Sequence, residues 1–228
     1  MDFETKLANT LALLKKIEAE YSPAVFAHSF GAEDMVLIDL IARNQLNIGA
    51  FSLDTGRLPP ETYTLMAKCA ERYPSVKVAV YFPDAAQVEA YVNTQGINAF
   101  FGSVELRKEC CRIRKLEPLK RALAGKKAWI TGLRREQSPT RTDMAAQEYD
   151  SGNGLEKFNP LLEWTEKEVW AYIRANDVPY NELHDKHYPS IGCAPCTRPV
   201  AMGEDVRAGR WWWENPDLKE CGLHAKKH

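Results

Sequence analysis

Two pairs of cysteines carry the clearest chemical signal in this chain: adjacent Cys110-Cys111, and Cys193-x-x-Cys196 far downstream. Four thiolates in two tight pairs suit a metal centre, and four-cysteine ligation is what an iron–sulfur cubane needs. Zinc also takes four cysteines, usually from two C-x₂₋₄-C knuckles. The adjacent pair breaks that spacing. Neighbouring residues on a helix diverge by about 100° and do not naturally grip one small tetrahedral ion. A cluster has larger, separated corners and accepts both pairs, so the spacing favours iron–sulfur and leaves zinc as the alternative. Cys221 stands apart, in Lys219-Glu220-Cys221-Gly222-Leu223-His224. A thiol near a mobile end suits a nucleophile that reaches in and swings out. Lys219, Lys226 and Lys227 favour its thiolate, and Glu220 opposes it. The plainer reading is an incidental cysteine in a frayed tail. Cys69 falls within a helical pattern and is assigned to packing.

Three loops add anion and nucleotide chemistry. Ser29-Phe30-Gly31-Ala32-Glu33-Asp34 follows a strand pattern and opens a helix. Gly31 permits close backbone approach, and amides at a helix start can hold an oxyanion, assisted by the Ser29 hydroxyl. An ordinary capped turn is the alternative. Leu53-Asp54-Thr55-Gly56-Arg57 ends a second strand; Asp54 and Thr55 suit a ribose or base edge and Arg57 an anion, or the segment is only a turn. Gly132 to Arg141 is a glycine-arginine loop whose planar guanidinium forks match phosphate or sulfate. Further basic residues cluster at Arg107–Lys115 and at Arg198, Arg207 and Arg210. A solvated charged surface is the bland account of each cluster.

These residues need a scaffold. Phe3, Leu7, Leu11 and Leu14 recur at helical spacing. Apolar runs at 24–28, 48–53, 76–82 and 127–133 predict strands. Helical patterns occupy 32–43, 60–73, 85–94 and roughly 104–124. Thr165-x-x-Glu168 is a capping box for a helix carrying Val169, Trp170, Tyr172 and Ile173. Alternation of this kind predicts an α/β fold with a mainly parallel twisted sheet flanked by helices, and a loop-rich C-terminal part beyond Asn176. In such sheets ligands lie at the carboxyl ends of the strands, where all three loops fall. His184 and His187 are expected to be structural. Trp211-Trp212-Trp213 is expected to pack the tail onto the body.

Length and composition fit one domain over 1–228, with 211–228 expected to be a mobile segment carrying Cys221. The net charge of −1 gives no global field to recruit nucleic acid or a membrane surface. The N-terminus reads as an amphipathic helix and no membrane segment is visible, so a cytoplasmic location is expected. Thiols stay reduced there, which favours metal or redox chemistry over structural disulfides.

Taken together, SFGAED, LDTGRLPPETY, KECCRIRKLEPL, TGLRREQSPTR, IGCAPCTRPV, GEDVRAGRWWWE and KECGLH resemble the phosphoadenylyl-sulfate reductase family, in its bacterial, iron–sulfur, adenylyl-sulfate-reducing branch. The resemblance runs from about Ser29 to His224. It implies a fold like that of the adenine-nucleotide α-hydrolases and a [4Fe-4S] cluster on Cys110, Cys111, Cys193 and Cys196. It implies substrate contacts from Ser29, Phe30, Gly31, Leu53, Asp54, Thr55, Gly56, Lys115, Arg141, Arg207 and Arg210, with Cys221 as the catalytic nucleophile. The implied reaction converts adenosine 5′-phosphosulfate to sulfite and AMP through an S-sulfocysteine. The chain ends at His228 without a redoxin domain, so a separate thioredoxin is the expected reductant. A 3′-phosphorylated substrate is the nearest alternative. A pyrophosphate-loop enzyme of tRNA thiolation and a zinc-stabilised nucleotide-binding module are more distant ones. A homo-oligomer is left open.

Overall fold

The computed structural model describes residues 1–137 and 143–214. Short apolar runs form the strands β1 (Ala24–Ala27), β2 (Gly49–Leu53), β3 (Val78–Tyr81) and β4 (Ala128–Ile130). Two more polar strands, β5 (Gln147–Asp150) and β6 (Leu155–Phe158), complete a six-stranded sheet of order β3-β2-β1-β4-β6-β5. All pairings are parallel except β5 with β6. The chain runs outward from β1 to β3 on one side and from β4 on the other. The topological switch therefore lies between β1 and β4, where such sheets open a crevice.

Alternation along the strands sends neighbouring side chains to opposite faces. Phe26, Ala50, Ile130 and Phe158 face a large core with Leu14 and Ile17 of α1 (Phe3–Glu20), Met35 and Ile38 of α2 (Ala32–Arg43), and Val169 and Ile173 of α7 (Glu166–Ala175). Val25, Phe51, Trp129 and Leu155 face a smaller core with Leu119, Ala122 and Leu123 of α6 (Glu117–Leu123). The predicted capping box is present: Glu168 N–H donates to Thr165 Oγ1 at 3.2 Å and Thr165 N–H to Glu168 Oε2 at 2.7 Å. Buried Asp39 ties three helices, accepting from Tyr73 at the end of α3 (Pro60–Arg72), from Tyr172 of α7 and from Arg43.

The helix predicted over 104–124 is built in three pieces. After α4 (Ala85–Gln95), α5 spans Val104–Cys111, a wide π turn spans Arg112–Leu116, and α6 follows. The signature of the wide turn is Glu117 N–H bonded to Arg112 O, five residues back. Pro118 supplies a local reason: it has no N–H to offer the carbonyl four residues back and its ring crowds that turn. Among the described residues, no helix is long and apolar enough to cross a membrane.

Candidate active site

A cleft of about 450 Å³ opens over the carboxyl ends of β1, β2 and β4. Ser29, Gly31, Leu53, Thr55, Lys115, Arg207 and Arg210 line it, so the predicted motifs converge there. Phe30, Asp54 and Gly56, also predicted as contacts, are not among its lining residues. Arg141 and Cys221 lie outside the described residues.

The loop after β1 is fixed by buried polar contacts. Phe30 takes a left-handed backbone conformation, φ 63°, which a bulky residue adopts only when its surroundings enforce it. Its ring packs on His28 at 4.3 Å, and its N–H donates to His28 Nδ1 at 3.0 Å. Burial pushes the His28 imidazole down to about 3, so the ring is neutral. Ser29 donates twice to Asp34 Oδ2, from its N–H and from its hydroxyl, each at 2.6 Å. The hydroxyl thus makes the local turn contact that the sequence allowed as the alternative, and Ser29 also lines the cleft. Burial pushes the Asp34 carboxyl up to about 7, against the lowering effect of the Ser29 bonds. Gly132 packs on this carboxyl so closely that a methyl group there would collide with Asp34 Oδ1.

The loop after β2 is a turn braced from within. Asp54 Oδ1 accepts from Gly56 N–H at 2.8 Å and from Tyr63 Oη at 2.9 Å. Gly56 has φ 69°, the left-handed region that glycine enters without strain. Arg114, from the π turn, donates to Thr55 O at 2.6 Å, and Thr55 Oγ1 lies 3.2 Å from Cys193 Sγ. Thr55 thus binds the strand end to both cysteine segments. Its two partners are distant in sequence, so no local pattern reveals them.

Two expectations for arginines are corrected. Arg57 does not face the cleft as an anion receptor: it donates to Ile97 O and Asn98 Oδ1, each at 2.9 Å, and lies over the Phe100 ring. Arg134 does line the cleft, but Glu33 at 2.8 Å and Glu136 at 3.0 Å neutralise it. Arg135 turns to Glu163 at 2.7 Å. Glu136 also accepts from Glu166 N–H. Carboxylates Glu33, Glu136 and Glu166 and cations Lys115, Arg207 and Arg210 therefore line the same cleft.

The four paired cysteines line one small second cavity, together with Arg57, Phe100, Arg107, Arg114, Lys115, Pro195 and Trp211. Lys115 and Cys193 line both chambers and form their common wall. Burial raises the Cys110 thiol above its ordinary value, against the pull of Arg114. Burial also pushes Cys196 up to about 12, reinforced by Cys193 and opposed by Lys115. Among the described residues, no three His, Cys, Asp or Glu side chains are arranged to hold a single metal ion. The segment after Asn176 is held by local devices. Thr197 Oγ1 donates to Cys193 O and accepts from Gly192 N–H, and Thr197 bridges to Arg210. Gly192 gives the Arg210 guanidinium its seat, since a side chain there would collide with it. Arg210 Nη1 donates to Ser190 Oγ at 3.2 Å. His184 is half-buried beside Trp170, and burial lowers its pKa. Of the three tryptophans expected to pack, Trp211 is buried at the cysteine cavity and Trp213 packs on Phe101, while Trp212 is exposed. Residues 211–214 of the segment expected to be mobile thus lie against the body, and 215–228 lie outside the described residues.

The fold is an α/β protein with a mostly parallel sheet and a cleft over its topological switch point. The chain belongs to the phosphoadenosine phosphosulfate reductase family, whose domain matches residues 23–199. It is 56% identical to the adenosine 5′-phosphosulfate reductase of Allochromatium vinosum, over 98% of this chain and 87% of that protein. It is 54% identical to the protein of the same name from Neisseria meningitidis serogroup B, over 97% and 92%. Among solved structures it is similar to phosphoadenylyl-sulfate reductase from Candida auris, with TM-score 0.72 and 28% identity over 84% of this chain and 90% of that one. Candida glabrata FMN adenylyltransferase, at 15% identity and TM-score 0.63, covers 96% of this chain and 76% of its own; it shares the fold.

Proposed function

We propose that this chain reduces adenosine 5′-phosphosulfate to sulfite and AMP in assimilatory sulfate reduction. The observation that carries this reading is the common wall of Lys115 and Cys193. It sets a cationic corner of the nucleotide-sized cleft directly against the four-cysteine cavity. Relatives named adenosine 5′-phosphosulfate reductase, alike over nearly the whole chain, support it. The choice of the unphosphorylated ribose rests on the names of those relatives and on the four-cysteine set.

The four-cysteine cavity fits a [4Fe-4S] cluster on Cys110, Cys111, Cys193 and Cys196. The thiols share one cavity with Arg107, Arg114 and Lys115. Four thiols beside these cations suit an anionic four-cysteine cluster, and the adjacent Cys110-Cys111 pair departs from the usual zinc-knuckle spacing. Such a cluster supplies fixed negative charge and a rigid template for the residues around it.

The chain's own residues do the chemistry. Lys115, Arg207, Arg210 and Arg141 hold the phosphosulfate and offset repulsion between its oxygens and an incoming thiolate. The Cys221 thiolate attacks sulfur, the sulfur–oxygen bond to phosphate breaks, and AMP leaves with that electron pair. Thioredoxin, a cytoplasmic dithiol, then attacks the Cys221 sulfur and expels sulfite. Its second thiol resolves the mixed disulfide, so two thiols are oxidised per sulfite. The test is anaerobic sulfite release with thioredoxin, for both the unphosphorylated and the 3′-phosphorylated substrate, in wild type and Cys221→Ser. Sulfite from the first substrate only, lost in the variant with iron content unchanged, is the expected result. Turnover surviving in Cys221→Ser would overturn the mechanism, and preference for the 3′-phosphorylated substrate would overturn the specificity.

A further inference from the structure

The buried ion pair at the last described residue is unused by the mechanism above. Arg107 sits on α5 one turn before Cys111 and lines the cysteine cavity. Its Nε and Nη2 donate to Glu214 Oε1 and Oε2 at 2.7 and 2.9 Å, a bidentate pair with side chains only 1% and 3% exposed. The guanidinium also interacts with the Cys111 thiol. It lies over the Trp211 ring, 4.6 Å from the centroid, and the cleft residue Arg210 lies 5.0 Å from the same ring. Trp211 therefore touches one cation from each chamber. Its backbone is held at φ 41°, an unusual conformation for a bulky residue. Trp211 N–H donates to Cys196 O at 3.2 Å, Glu214 N–H to Trp211 O at 2.8 Å, and Trp213 packs on Phe101 at 4.4 Å.

We infer that Arg107 and Glu214, clasping Trp211, are positioning residues: they fix the point from which the chain leaves toward Cys221 and tie that point to the cysteine cavity. The inference rests on Cys221 as the nucleophile. From Glu214 to Cys221 is seven residues. Seven residues span at most about 25 Å, so the anchor bounds how far Cys221 can lie from Glu214. A tethered reactant works through its local concentration, which falls as the tether lengthens or its root drifts. Without the Glu214 side-chain bonds, the end of the described chain is held only by the packing of Trp213 on Phe101 and the Glu214 N–H bond to Trp211 O. A bidentate pair suits this task because two parallel bonds fix orientation as well as distance.

The test compares wild type, Glu214→Gln and Glu214→Asp, each with cluster intact, by iron content, AMP binding and single-turnover sulfonation of Cys221 followed by mass spectrometry. Glu214→Gln keeps the shape and removes the charge. We expect unchanged iron, AMP affinity within about twofold, and sulfonation slowed about 10- to 100-fold, the scale on which small misplacements act. Glu214→Asp, which keeps the charge, recovers part of the rate. Steady-state kcat falls while KM holds. Sulfonation at the wild-type rate in Glu214→Gln overturns the positioning role, as does a rate loss that simply tracks lost iron. A wild type that never acquires sulfonate overturns the functional reading itself, a result distinct from either.

Discussion

The nucleotide cleft and the cysteine cavity touch through Lys115 and Cys193 but are built in opposite ways. The cleft sits on strand ends locked by parallel ladders, and its loops are braced by buried side-chain bonds such as Ser29–Asp34 and Asp54–Gly56. The cavity is assembled from a widened helical turn and a segment held by 3₁₀ turns, one isolated bridge and single hydrogen bonds. A ladder specifies position whether or not a ligand is bound. A cage of local turns relies on whatever fills it. Strand ladders position the floor of the cleft, whereas local turns and side-chain bonds position the cysteine segments.

The strongest way to break this contrast is Cys193→Ala, at the common wall. Iron content should fall to background and nucleotide affinity should weaken about tenfold, because Lys115 loses its support. Elemental analysis and titration calorimetry read the two effects; intact affinity without iron would separate the chambers. Asp34 tests the cleft side through pH. Its carboxyl keeps its proton up to about 7 in the folded chain, against an ordinary 3.8. The native state therefore binds the extra proton at Asp34 between those values, so the contribution of Asp34 to stability is fully present at acid pH and declines as pH rises from about 4 to about 7, while neutral His28 contributes with the opposite sign. Asp34→Asn removes that dependence. Relative to wild type it should gain up to about 4 kcal/mol between pH 4 and pH 8 in denaturant melts, at 1.36 kcal/mol per pKa unit. An equal difference at both pH values would refute the buried-carboxyl account. Gly132→Ala should cost about 1–3 kcal/mol by overpacking against Asp34, and weaken nucleotide binding while sparing iron. Thr165→Ala removes a helix cap and should cost about 1 kcal/mol with both chambers unaffected, which makes it the control.

The central fold was legible because β1, β2 and β4 are apolar runs and the helices are strongly patterned. β5 and β6 were missed: QEYD and LEKF lack a clean alternation, and β5 is an edge strand whose outer side meets no core. The convergence of the three loops followed from topology. The fate of individual arginines did not. Arg57 and Arg134 look like anion receptors in sequence, yet carboxylates and carbonyls brought in by the fold claim them, Asn98 for one and Glu33 for the other. Arg107 and Glu214 are separated by 107 positions, so their pairing carries no local mark.

The wide turn at Arg112–Leu116 has a genetic consequence. A π turn holds one more residue than the α-helical turn it replaces, so a single inserted codon is enough to create one. Deleting a residue there would turn α5 about 100° around its axis relative to α6, and with it the Cys110-Cys111 face relative to the 193–196 loop. The meeting of the two cysteine segments is thus sensitive to chain length as well as to residue identity. A protein differing only by that deletion would keep every thiol and still be unable to bring them together.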